Sequence, residues 1–219
     1  MKINYIAALA LSAAVALAPA VFADQLNFSF NGNGISTSGS FTYTPSATVP
    51  GVDEITGITG TFSDSNVGVS GAIKGLYSPV SYVNTIPGVA FTTGGLSYDD
   101  LFFPNGNTAL DCPGYPFTGG AFDIFGVAFD VAGPGAYVAE IWSNGDIPGL
   151  GTVYAAGLAN ADGLVDNPNS GPGAPAPPGR YGDLTITPEP SSVMLLGSGL
   201  FGLAGLIRER KNRQHASRM

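Results

Sequence analysis

The sequence predicts an all-β protein: an antiparallel β-sandwich, jelly-roll-like exported domain, with an N-terminal signal peptide and one C-terminal transmembrane helix. Three observations carry this expectation. In the middle of the chain apolar and polar residues alternate in about ten short runs, the period of a strand with one buried face. Thirty-two glycines and seventeen prolines among 219 residues are poor material for helices. Two uncharged apolar stretches stand apart from the alternating region, one at each end.

Residues 1–23 read as the signal peptide. Lys2 supplies the positive start, residues 5–17 the apolar run, and Val21 and Ala23 the small residues at −3 and −1, so cleavage is expected after Ala23. A cut after Ala20 fits less well, because it leaves Val21 and Phe22 at the new terminus.

Residues 24–164 form the predicted β-sandwich domain. Leu26, Phe28 and Phe30 alternate with Gln25, Asn27 and Ser29, and Asn31 to Gly34 is turn chemistry. A strand over 36–44 carries Phe41 and Tyr43 on one face, and Pro45, Pro50 and Gly51 end it. Residues 55–62 alternate imperfectly around Gly57 and Gly60, which predicts a bulge or a barrel-like bend. Short strands are expected over 67–73, 80–83, 89–92 and 96–103. Residues 121–131, AFDIFGVAFDV, are the richest β-forming run. Both faces are partly apolar, so a central strand is expected there. Strands over 136–143, with the single tryptophan Trp142, and 153–158 follow. Residues 165–187 are rich in Pro and Gly and read as a linker carrying a last-strand candidate over 181–187. The other reading makes all of 165–187 a tether that holds the domain off a membrane.

The charge of this middle part is lopsided. Between residues 24 and 187 Lys74 and Arg180 face fourteen Asp and Glu residues, a balance of −12. Such a surface repels phosphate backbones, so no nucleic-acid partner is expected. Cys112 is the only cysteine, so no intrachain disulfide can form.

The same composition narrows the chemistry. The only histidine, His215, lies in the C-terminal tail, which leaves the exported part without His-dependent nucleophilic catalysis or ordinary zinc ligation. Carboxylate chemistry remains. Glu54 and Glu140 are the internal glutamates, and a glycoside hydrolase needs two acids flanking one groove. Asp99 and Asp100 are neighbours and point to opposite faces if extended. Calcium suits an oxygen-rich surface better. The candidates are Asp99, Asp100, Asn105, Asn107 and Asp111 in one patch and Asn160, Asp162, Asp166 and Asn167 in the other, and neither has EF-hand spacing. Tyr98, Phe102, Phe103, Tyr115, Phe117 and Trp142 are the aromatic candidates for stacking on sugar rings, with Tyr115 and Phe117 the best exposed. No catalytic residue is assigned, and a non-enzymatic protein is expected.

The C-terminus carries three signals in a row. Pro188, Glu189 and Pro190 come first. An uncharged stretch over 191–207 follows, beginning at Ser191 and ending at Ile207. The basic residues Arg208, Arg210, Lys211 and Arg213 close it, and residues 214–219 form a polar tail. Seventeen helical residues span about 25 Å, short of the roughly 30 Å hydrocarbon core, so the basic residues would snorkel and stay on the cytoplasmic side.

The order of these signals over residues 188–213 resembles the PEP-CTERM sorting signal of exported bacterial proteins. Glu209 within the basic cluster and the polar end are departures that leave the net positive charge in place. The resemblance implies an exosortase as processing partner, a membrane-anchored precursor at the inner membrane, and a product at the cell surface or outside the cell. It also implies an association with exopolysaccharide. The secretion translocon and signal peptidase are the partners expected for the other end. The sequence therefore points first to an exported surface or extracellular-matrix protein sorted through its C-terminus. A carbohydrate-binding, calcium-dependent β-sandwich is the alternative, and a secreted glycoside hydrolase ranks below both.

Overall fold

The computed structural model describes residues 24–78, 88–106, 108, 117–167, 179–188 and 199. Twelve strands follow one another in these residues: β1 (Asp24–Gly32), β2 (Ile35–Pro45), β3 (Asp53–Asp64), β4 (Val69–Leu76), β5 (Ala90–Phe91), β6 (Ser97–Tyr98), β7 (Leu101–Phe102), β8 (Val127–Val131), β9 (Tyr137–Ile147), β10 (Gly151–Asn160), β11 (Gly163–Asp166) and β12 (Gly182–Pro188).

The pairings form a ring. Antiparallel ladders join β12 to β1, then β2, β3, β4, β8, β9 and β10, and β10 meets β12 again. Strand β11 adds to β10, β7 pairs with the start of β3, and β5 and β6 make a separate small ladder. The all-β, antiparallel expectation holds. Its sandwich and jelly-roll form gives way to one barrel-like sheet of eight strands, because the last strand returns beside the first and joins the two edges that a sandwich would leave apart.

An eight-stranded barrel has an interior just wide enough to be filled by side chains. Here the filling is largely aromatic. Phe28, Phe30, Phe41, Phe62, Phe122 and Phe129 are buried in one cluster with Ile35, Ile55, Ile141 and Leu158. Phe41 is its hub, with ring contacts to Phe28, Tyr43, Phe102 and Phe122 at 5.2–6.3 Å. The alternation read from β1 is realised: Phe28 and Phe30 are buried, and Ser29 and Asn31 are exposed.

Turn chemistry sets the register. The β1–β2 hairpin turns on Asn33 (φ 52) and Gly34 (φ 80), the two positive dihedrals of a type I′ turn, so β1 runs on through Gly32. Gly39 and Gly60 face each other across β2 and β3, and a Cβ on either would collide with the opposing backbone. The bulge anticipated near Gly57 is present as a register shift opposite Thr42 and Tyr43.

The described parts of the connection from β4 to β8 lie over the outer face of β8, β9 and β10. Tyr77 donates its N–H to Ala128 O (3.0 Å), and Val89, Ile124 and Phe125 bury Trp142 and Ala155. Tyr98 packs with Tyr77, Ala128 and Val138. Consequently β9 is buried on both faces, with Ala139 and Ile141 inside the barrel and Val138, Glu140 and Trp142 beneath this cover. The central strand expected over 121–131 is cut short: only Val127–Val131 is strand. The carboxylate of Asp123 accepts the N–H groups of Phe125 (2.9 Å) and Gly126 (3.2 Å), and Gly126 has φ 62, so the chain turns there. The strand expected over 96–103 is likewise split into β6 and β7 at Asp100, which has φ 58. The expected strand over 80–83 lies outside the described residues.

Candidate functional site: the barrel end that carries the C-terminal signal

Strand β12 reads GDLTITP. Leu184 and Ile186 are half-buried against the barrel core, and Asp183, Thr185 and Thr187 are exposed. This alternation makes 182–188 a paired strand rather than a tether. Its seven residues match β1 one for one, from Gly32↔Gly182 to Leu26↔Pro188. Proline has no N–H to give a ladder, which suits the end of a strand. The first residue of the motif, Pro188, therefore sits two positions from Asp24, the residue expected to become the N-terminus. Both ends of the described chain leave the barrel at one rim.

On its other side β12 meets β10 at a single described pair, Tyr154↔Gly182. From there toward Pro188 the two strands diverge around an open cleft of about 710 Å³. Leu26, Tyr43 and Ile186 line it together with Tyr154, Thr152 and Asp146, and Phe102 to Gly106 add to its wall. Tyr154 accepts the N–H of Ala121 at 2.9 Å, and Thr152 donates its hydroxyl to Asp146. Asp146 is the one carboxylate lining the cleft among the described residues.

Six further acids are drawn into two structural clusters. In the first, Glu140 lies wholly buried beneath the β4–β8 connection. Burial drives its pKa well above the ordinary value, and Asp99, Asp100 and Asp123 nearby add to the rise. Asp100 is pushed up to about 7, chiefly by burial, although the N–H of Ala128 donating to it (3.1 Å) works the other way and Glu54 adds to the rise. Asp99 accepts the N–H of Leu101 (3.0 Å). These carboxylates hold backbone: Asp123 shapes the turn into β8, Asp99 shapes the entry to β7, and Asp100 ties that entry to β8. The two glutamates weighed as a hydrolytic pair are separated in environment, Glu54 exposed on β3 and Glu140 buried on β9.

The second cluster closes the opposite end of the barrel. Arg180 donates to Asn33 Oδ1 (2.9 Å) and to Asp166 Oδ1 (3.5 Å). Asn66 donates Nδ2 to Asn33 O and to Asp166 Oδ2, both at 2.7 Å, and its N–H goes to Asp64 Oδ1 at 2.9 Å. Asp64 is buried, which raises its pKa, and the neighbouring Asp166 raises it further. The β1–β2 turn, the β3–β4 turn, the end of β11 and the entry to β12 are thus clipped together.

The calcium candidates divide accordingly. Asp99, Asp100 and Asp166 serve backbone or side-chain donors, Asn105 is exposed at a turn, and Asp162 is exposed in the β10–β11 turn, where its N–H meets Asn160 Oδ1. Asn107 and Asp111 lie outside the described residues. No group of three or more His, Cys, Asp or Glu side chains among the described residues is placed to hold a metal ion. Tyr98, Phe102, Phe103 and Trp142 are buried, Phe102 and Phe103 within the wall of the mouth cleft; Trp142 donates Nε1 to Asn144 at 3.1 Å. Phe117 is half-buried, and Tyr115 lies outside the described residues. Sequence reasoning did not bring together Tyr43, Tyr154 and Asp146, which only barrel closure places at one mouth.

Of the expected sorting residues, Pro188 is described. Glu189, Pro190, the stretch over 191–207 apart from Gly199, Arg208, Arg210, Lys211, Arg213 and the signal peptide with Ala23 lie outside the described residues, as does Cys112. Among the described residues no helix is long and apolar enough to cross a membrane.

A family model, the PEP-CTERM protein-sorting motif, matches residues 187–211. The chain carries this motif, which marks an exported protein sorted in an exosortase-dependent way. Neither the curated proteins nor the solved structures contain a match to this chain. The match begins at Thr187, so its first two residues are also the last two of the barrel.

Proposed function

We propose that this chain is a non-enzymatic surface or extracellular-matrix protein whose barrel is the cargo of its own sorting signal. It is exported with a leader that ends at Ala23, held at the inner membrane by residues 191–207, and released by exosortase beside Pro188, Glu189 and Pro190. The observation that carries the reading is the run of β12 straight into the matched motif, which joins folded cargo to signal without an intervening tether. Asp99, Asp100 and Asp123 support the non-enzymatic part, because their carboxylates serve the backbone rather than an open groove. Membrane fractionation of the native host tests the reading: with Pro188, Glu189 and Pro190 replaced by alanine, the precursor should accumulate in the membrane, whereas normal release would overturn it.

A second reading is favoured by the cleft at the barrel mouth. Tyr43 and Tyr154 with Asp146 and Thr152 present the mixture of ring and hydroxyl-binding groups that suits a sugar. A glycan array on wild type and Tyr43→Ala, with and without calcium, tests it. Binding that is lost in the variant supports a carbohydrate-binding barrel.

A further inference from the structure

Strand β12 is the weak seam of the barrel. One of its edges is fully paired to β1, while the other meets β10 at Gly182 alone among the described residues. Beyond Gly182 this edge carries no strand partner among the described residues, Ile186 lines the mouth cleft, and Asp183, Thr185 and Thr187 are exposed beside it. An open edge of this kind is a template for an added strand, with the main chain supplying affinity and alternate side chains supplying selectivity. It also runs without interruption into the matched motif, which starts at Thr187. An enzyme reading that motif must meet the chain where this edge ends.

We propose that the processing enzyme docks on the open edge of β12 by strand addition along residues 183–188, so that the recognised object is the last strand of the folded barrel together with the motif. This rests on the sorting role proposed above. It adds that folding is a condition for processing, because the edge is held extended only when β1 supports it. It also places a selectivity determinant, residues 183–187, upstream of the tripeptide.

The experiment uses the full-length precursor in membranes containing the enzyme. Were the ladder extended one step beyond Tyr154↔Gly182, Thr152 would stand opposite Leu184. A Thr152→Cys, Leu184→Cys pair in a Cys112→Ser background would zip the seam and leave Pro188, Glu189 and Pro190 untouched. The locked precursor should be processed at least about tenfold more slowly than wild type, and reductant should restore the rate. Processing of the locked form at the wild-type rate overturns the proposal. A second variant, Asp183→Lys with Thr185→Lys, changes the exposed side chains of the edge without a crosslink or a broken β1 ladder and decides the matter if the disulfide does not form. Slower processing with an unchanged melting temperature supports docking, and an unchanged rate refutes it. The alanine replacement of the tripeptide, run alongside, reports on the sorting reading separately: if it alone abolishes processing, sorting stands and strand docking falls.

Discussion

Leu26 and Pro188 are register partners on adjacent antiparallel strands, the third residue of β1 facing the last residue of β12. The pairing brings the start of the barrel and the start of the sorting motif to one rim. Each end of the exported part is therefore fixed by the other, and removing β12 would open the ring between β1 and β10.

The aromatic hub should dominate stability. Phe41→Ala leaves a cavity among Phe28, Tyr43, Phe102 and Phe122 and is expected to cost about 3–5 kcal/mol. Urea unfolding followed by tyrosine and tryptophan fluorescence measures it; a loss under about 1 kcal/mol would mean that the site collapses freely.

Gly60→Ala should be as damaging with far less volume change. Gly60 has φ +147, and its added Cβ would meet Ser38 O across the ladder. We expect a drop of at least about 2 kcal/mol, from both strained backbone and a displaced β2–β3 pairing. Gly51→Ala is the comparison, since it shares a positive φ (+78) with open space around it, and should cost less.

Acid should stabilise the barrel over a defined window. Asp100 has its pKa pushed up to about 7 from 3.8, so the folded state holds this proton more tightly than the unfolded chain. The corresponding stability is fully present below about 3.8 and is lost as the pH rises through about 7. Glu140 is shifted in the same direction by burial and its acidic neighbours. The urea midpoint should therefore climb as the pH falls from 8 toward 5, by an amount on the order of a few kcal/mol in stability. In Asp100→Asn the climb should flatten.

The clip at the opposite end should be worth less. Arg180 is 39% exposed and its ion pair to Asp166 is 3.5 Å long, so the pair itself contributes little. Arg180→Met nevertheless leaves Asp64 and Asp166 without a cation in the cluster, and a loss of about 1 kcal/mol is expected. Asp64→Asn in the same background should recover part of it, which a double-mutant cycle reads directly.

Local structure was legible where side-chain period and turn chemistry agree. Leu26, Phe28 and Phe30 placed the face of β1, and Asn33 with Gly34 placed its turn. Gly57 signalled the irregularity in β3. The run over 121–131 misled because composition alone hides a carboxylate that captures its own backbone: Asp123 and Gly126 form a turn, and the strand starts only at Val127. Strand β11 carried too short a pattern to stand out. Ring closure was illegible for a different reason. The pairings β4–β8, β1–β12 and β10–β12 join residues distant in the chain, and nothing in a period of two says which edge meets which. The sorting signal was legible in the sequence without the fold, being a linear order of proline and glutamate, apolar stretch and basic cluster. The mouth cleft, assembled from β1, β2, β7, β9, β10 and β12 with the segments that follow β7 and precede β8, could be seen only after closure.

Intact-mass measurement of the mature protein purified from its native host tests the central claim most directly. A mass that begins at Asp24 and ends at or beside Pro188–Pro190, without residues 191–219, is the predicted result. A full-length mass with both terminal segments retained, recovered from the cytosol, would contradict it.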